Sequence, residues 1–166
     1  MISVKSINEL SDEAAAEMFR RCCGSEAWVE KMVAAKPFAS AERLFEKSAQ
    51  SFDELTHADW MSAFAAHPKI GDINTLKEKY GATKNWAQNE QAGASGISDE
   101  VAQDLAARNE EYLQKFGYIF IVCATGKSAD QMLAMLKERL KNAPDTELLI
   151  AGAEQQKITH LRLEKL

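Results

Sequence analysis

The sequence lacks any long run of basic residues, and its formal net charge is −5, so the positive footprint needed to follow a phosphate backbone is missing and nucleic acid is excluded as an expected partner. Long hydrophobic runs are missing too. The longest, Tyr118 to Ala124, is far too short to cross a bilayer, and no membrane association is expected. The beginning, MISVKSINELSDEAAAEMF, has neither an apolar leader nor an arginine-rich amphipathic stretch, which leaves secretion and organelle import unsupported. The ending Glu164-Lys165-Leu166 resembles a peroxisomal address only in part, with a bulky acid in place of serine.

Cysteines number three, and two of them, Cys22 and Cys23, are neighbours that cannot bridge without strain. Reduced thiols and a cytoplasmic location follow as expectations. Histidines also number three, His57, His67 and His160, with no HExxH, HxH or paired-cysteine spacing, so no metal centre is expected. Thr125-Gly126-Lys127-Ser128 has the local look of a phosphate-binding loop, but Ile121 stands where that loop needs a glycine. An ordinary turn followed by a helix cap at Ser128 is the better reading.

Alternation of apolar and polar residues at spacing two is almost absent, whereas spacings of three and four recur throughout. The expected fold is all-α: a single domain over 1–166, built as an irregular bundle of about eight helices with one short extended segment near 118–124. Ser11 precedes the apolar set Ala15, Met18, Phe19 and Cys22, with a stop at Gly24. A helix with Trp28, Met32 and Val33 ends before Pro37, Ser40 opens another, and Ser51 with Glu54 reads as a capping box for a further turn. Thr56 caps a helix ending at Ala66. Helices are predicted around Asn74–Tyr80 and Thr83–Ala92. Ser98 starts one with the stripe Val101, Leu105, Asn109, Tyr112 and Phe116, broken at Gly117; Pro144 precedes the last.

Four places bear chemistry. In HPKIGD, Pro68 pushes His67 out of the helical region, so the imidazole projects from a helix C-terminus whose partial negative charge favours its protonated form. Such a ring can hold and deliver a proton near neutral pH; a surface histidine at a helix end would look the same. In WAQNEQAG, helical spacing puts Ala87, Glu90 and Gln91 on one face, as a solvated polar face also would. Phe120, Ile121, Val122, Cys123 and Ala124, after the break at Gly117, are expected to run extended, offering main-chain groups to a polar ligand or forming a buried hydrophobic segment. Arg162, on an inward stripe, needs an anion, either of the protein or of a ligand.

In this order, His67 to Gly71, Trp86 with Glu90-Gln91-Ala92-Gly93, Asn109 and Tyr112 leading into Lys115-Phe116-Gly117, Phe120 to Cys123, Arg139-Leu140 and Arg162-Leu163 resemble the 2-oxo-4-hydroxy-4-carboxy-5-ureidoimidazoline (OHCU) decarboxylases of urate degradation. The resemblance spans nearly the whole chain. It implies an all-helical homodimer that converts the small-molecule ureidoimidazoline to (S)-allantoin without cofactor or metal. It also implies that His67 is catalytic with Glu90 as its companion, that Glu90 and Gln91 hold the substrate beside Pro68, and that main chain from Phe120 to Ala124 completes the pocket. Ala87 departs from the family's usual serine, and water, Gln88 or Asn89 would have to replace that hydroxyl. Two other readings stay open: a helical binding module without catalysis, and a lyase or hydrolase for a related ureide.

Overall fold

Serine and threonine punctuate this chain. The structure, a computed structural model, describes residues 3–68 and 98–166. Among those residues there are eight helices and no strand. They are α1 (Val4–Glu9), α2 (Asp12–Cys22), α3 (Glu26–Ala34), α4 (Ala41–Asp53), α5 (His57–Ala65), α6 (Asp99–Phe116), α7 (Ala129–Arg139) and α8 (Pro144–Glu164).

Helices α1 to α7 each begin on a serine or threonine whose side-chain oxygen accepts a first-turn amide: Ser3, Ser11, Ser25, Ser40, Thr56, Ser98 and Ser128. Each cap satisfies one of the amides that a helix start leaves without an internal partner, a contribution of about 1 kcal/mol. Helix α8 begins instead on Pro144, whose ring presets the first helical φ and lacks only an amide hydrogen the helix does not need there.

The predicted caps at Ser11, Ser40, Thr56, Ser98 and Ser128 are all realised. One is not. Ser51 opens no helix: it lies inside α4, buried, and its hydroxyl donates back to the carbonyl of Lys47 at 2.8 Å. The amphipathic period of α4 continues through Phe52, and that burial overrides the local Ser-x-x-Glu signal. Helix α1 was not anticipated. The predicted helices around 74–80 and 83–92 lie outside the described residues.

The chain groups into two compact units. The first comprises residues up to His67, together with 121–123 and 149–166. Its core joins Met18, Phe19 and Cys22 of α2, Trp28 and Met32 of α3, Leu44 and Phe52 of α4, Ala63 of α5 and Leu163 of α8. Aromatic rings run through it in contact: Phe19 edge-on to Trp28, Trp28 stacked on Phe52, Phe52 stacked on Trp60, and Trp60 against Phe64. The last of these lies one turn before His67. The Trp28 indole is buried, and its N–H donates to the Ser48 carbonyl at 3.3 Å.

The second unit holds α6, α7 and the first turn of α8. Helix α6 packs on α7, burying Ala102, Leu105, Tyr112, Met132, Leu133 and Leu136. Asn109, the amide expected on the inward stripe, donates within its own helix to the Leu105 carbonyl at 2.9 Å. Gly117 ends α6 in the left-handed region at φ 80°, where a side chain would be strained. Residues 119–124 then form neither helix nor strand.

Candidate active site

The end of α5 is fixed by a close approach. A Cβ on Gly24 would overlap the Cβ of Ala66, so only glycine lets the α2–α3 corner meet the last turn of α5. The next residue is His67. Its amide donates to the Phe64 carbonyl at 3.2 Å, its ring is half-buried, and Pro68 beyond it is exposed. The predicted end of the helix at Ala66 is therefore where the chain leaves the helical path.

His67 reaches α8. Its Nε2 lies 2.6 Å from Oε1 of Gln155, a residue with no solvent exposure. Gln155 Nε2 donates to Thr159 Oγ1 at 3.1 Å, and that hydroxyl donates to the Cys22 carbonyl at 3.4 Å. Arg162 joins at the same helix end: its Nη1 donates to the carbonyls of Cys22 at 3.2 Å and Arg21 at 3.4 Å. The anion that Arg162 needs is supplied in part by the negative C-terminus of α2.

Glu154, adjacent to Gln155, serves the other predicted element. Its Oε2 accepts the Cys123 amide at 2.7 Å and its Oε1 pairs with Lys157 Nζ at 2.6 Å, although the carboxylate is only 7% exposed. Two consecutive residues of α8 thus hold His67 and the main chain of Cys123. Ile121 and Cys123 are buried, while Phe120, Val122 and Ala124 are half-buried. An apolar hollow of about 460 Å³ opens nearby in the same unit, with Phe45, Phe52, Cys123, Lys157 and His160 among its walls.

Phe120 belongs to the second unit, where the Arg139 guanidinium lies 4.6 Å from its ring centre. Arg139 also pairs with Glu147, which is fully buried and accepts from Arg139 Nε at 2.6 Å, Tyr112 Oη at 2.5 Å and Asn142 Nδ2 at 2.9 Å. Burial, then the Glu147 hydrogen bond, pushes the Tyr112 phenol far above its ordinary range. It donates and does not ionise.

Cysteine chemistry is disfavoured here. Burial pushes the Cys22 thiol up to about 11 and raises that of Cys23, so neither is a thiolate at neutral pH.

Of the residues singled out from sequence, the first unit holds His67, Ile121, Val122, Cys123 and Arg162. Pro68, Phe120 and Ala124 belong to the second. Ala87, Gln88, Glu90 and Gln91 lie outside the described residues. Sequence reasoning missed Glu154, Gln155 and Thr159. Their signal was present: Ala151, Gln155, Thr159 and Leu163 recur every four residues on an inward stripe, and two of the four are polar.

Residues 8–164 match the model of the OHCU decarboxylase family. The chain belongs to that family. It is 36% identical over 154 residues to the uric acid degradation bifunctional protein TTL of Arabidopsis thaliana, covering 93% of this chain and 48% of that protein. The chain therefore spans about half the length of this relative. The 2-oxo-4-hydroxy-4-carboxy-5-ureidoimidazoline decarboxylase of Amia calva is 27% identical over 171 residues, 99% of this chain and 94% of that one. In three dimensions the fold superposes with a TM-score of 0.73 on a crystal structure of OHCU decarboxylase in the presence of (S)-allantoin, at 34% identity, covering 94% of this chain and 97% of the other. The helices of the described residues, expected from periodicity, thus belong to a fold shared with that OHCU decarboxylase.

Proposed function

We propose that the protein decarboxylates 2-oxo-4-hydroxy-4-carboxy-5-ureidoimidazoline to (S)-allantoin, with residues 1–166 acting as one decarboxylase domain. The observation that carries this reading is the extent of the family match, 8–164, which takes in the His67-Pro68 corner, the 120–124 segment and Arg162 together.

The substrate's structure makes a cofactor unnecessary. When the carbon–carboxylate bond breaks and carbon dioxide leaves, its electron pair forms a double bond to the ureido-bearing carbon and displaces that carbon's carbon–nitrogen π pair onto the ring nitrogen, which takes up a proton. The hydroxyl-bearing carbon then becomes a carbonyl as it loses the hydroxyl proton, and a proton added to the ureido-bearing carbon sets the configuration. The protein has to orient the carboxylate out of the ring plane, stabilise the developing charge and direct that proton.

His67 carries the proton transfer. Glu90 accepts hydrogen bonds from the substrate's hydroxyl or N–H groups and Gln91 fixes the ring, with Pro68, Ala87 and Gln88 alongside. Main chain from Phe120 to Ala124 closes the pocket, and Glu154 supports this role by anchoring the Cys123 amide. Arg162 anchors a substrate carboxylate through guanidinium N–H groups other than those of Nη1. The working form is a cytoplasmic homodimer, a location that the buried thiols Cys22, Cys23 and Cys123 suit.

The test is direct. Freshly generated ureidoimidazoline is supplied and the appearance of (S)-allantoin is followed by chiral chromatography or optical rotation. Wild-type protein is expected to outpace the spontaneous reaction and to give one enantiomer. Racemic product at the spontaneous rate rejects the proposal.

A further inference from the structure

The polar groups on the inward side of α8 give direction to a hydrogen-bond relay that ends on His67. Gln155 and Thr159 have no solvent exposure, so their polar atoms must be satisfied inside the protein. The Cys22 carbonyl can only accept, and it turns the Thr159 hydroxyl proton toward itself. The Thr159 oxygen then accepts from the Gln155 amide nitrogen. With that nitrogen committed, the amide oxygen is the atom facing His67, 2.6 Å from Nε2. An amide oxygen is an acceptor only, so Nε2 must carry a hydrogen.

We propose that Gln155 is a positioning residue for His67: it holds the neutral imidazole as the Nε2–H tautomer and makes Nδ1 the nitrogen that exchanges protons with the substrate. The inference rests on the reading of His67 as the proton-transfer group. A glutamine oxygen accepts from the ring in its neutral and its protonated form alike, so the imidazole keeps one orientation through both halves of the transfer.

Selective 15N labelling of the histidine rings tests this without any turnover. Comparison with His67→Ala assigns the His67 signals among the three histidines. At a pH where the ring is neutral, the wild-type spectrum is expected to show Nε2 protonated and Nδ1 bearing the lone pair. Gln155→Leu removes the acceptor at similar size; the tautomer preference should be lost and kcat should fall about tenfold or more, with KM changed less than about threefold. Thr159→Val leaves Gln155 in place but releases its amide, and should move both readouts the same way by less. It also serves as the deciding variant where Gln155→Leu does not fold.

A wild-type ring protonated on Nδ1 overturns the assignment, as does a folded variant with the wild-type ring spectrum and kcat. That second result beside an inactive His67→Ala would end the positioning role alone. Unchanged turnover in His67→Ala would end the acid–base reading instead, whatever tautomer is measured.

Discussion

Nε2 of His67 lies 2.6 Å from Oε1 of Gln155, a residue 88 positions further along the chain and wholly buried. The imidazole is therefore held by the protein interior at one edge while its residue stands at an exposed corner beside Pro68. Replacing His67 by alanine removes a group outside the aromatic core. We expect His67→Ala to keep the helical circular dichroism spectrum and to lose about a hundredfold or more in decarboxylation rate, the usual scale for a positioned acid–base group. A rate within threefold of wild type would reject the catalytic role.

Gly24→Ala places a methyl group on the Cβ of Ala66. Both neighbours are backbone-fixed, so the α2–α3 corner or the end of α5 has to shift. Urea denaturation should show a loss of about 1–3 kcal/mol, the cost of overpacking. Because the displaced turn carries His67, kcat should drop even where the protein remains folded.

Arg139→Met leaves the Glu147 carboxylate, which has no solvent exposure, without its guanidinium. Removing one member of a buried pair costs about 3–5 kcal/mol. The double variant Arg139→Met with Glu147→Leu should recover much of that loss in the same urea titration, and a double-mutant cycle measures the coupling. Additive losses would show that the two side chains are not coupled.

The thiols give the stability a slope at alkaline pH. Cys22 is held protonated up to about pH 11 in the folded protein, against 9.0 for the ordinary thiol, and Cys23 shifts the same way. Between those values the unfolded chain has given up a proton that the folded chain keeps, so stability is full below about 9 and falls as pH rises toward 11. The Cys22 contribution is on the order of 2 kcal/mol. Thermal melts from pH 8 to 11 should show this decline, and Cys22→Ala should make it shallower, leaving the part due to Cys23.

Local chemistry was readable where a residue acts within its own segment. Thr56, Ser98 and Ser128 cap helices because a side-chain oxygen three residues away from an amide needs no tertiary information. The end of α5 before His67-Pro68 follows from a steric rule between neighbours. Ser51 shows the limit: its cap signal was genuine, but burial of Phe52 on the same helix outweighed it. The polar partners of the site were illegible for a different reason. That Gln155 meets His67, or that Glu154 meets Cys123, depends on which helices become neighbours in space, and composition or period cannot supply that. What a reader of the chain could have noticed is Gln155 and Thr159 interrupting an apolar stripe, since buried amides and hydroxyls require partners. Arg162 stands out on the same ground, and the carbonyls at the end of α2 answer it in part.

Glu154 and Gln155 occupy successive positions of one long helix, so their two grips share a single rotational phase. A residue inserted in α8 between Ile150 and Ala153 would turn everything downstream by about 100° and carry both side chains away from their targets at once. This stretch of helix should tolerate no change of count.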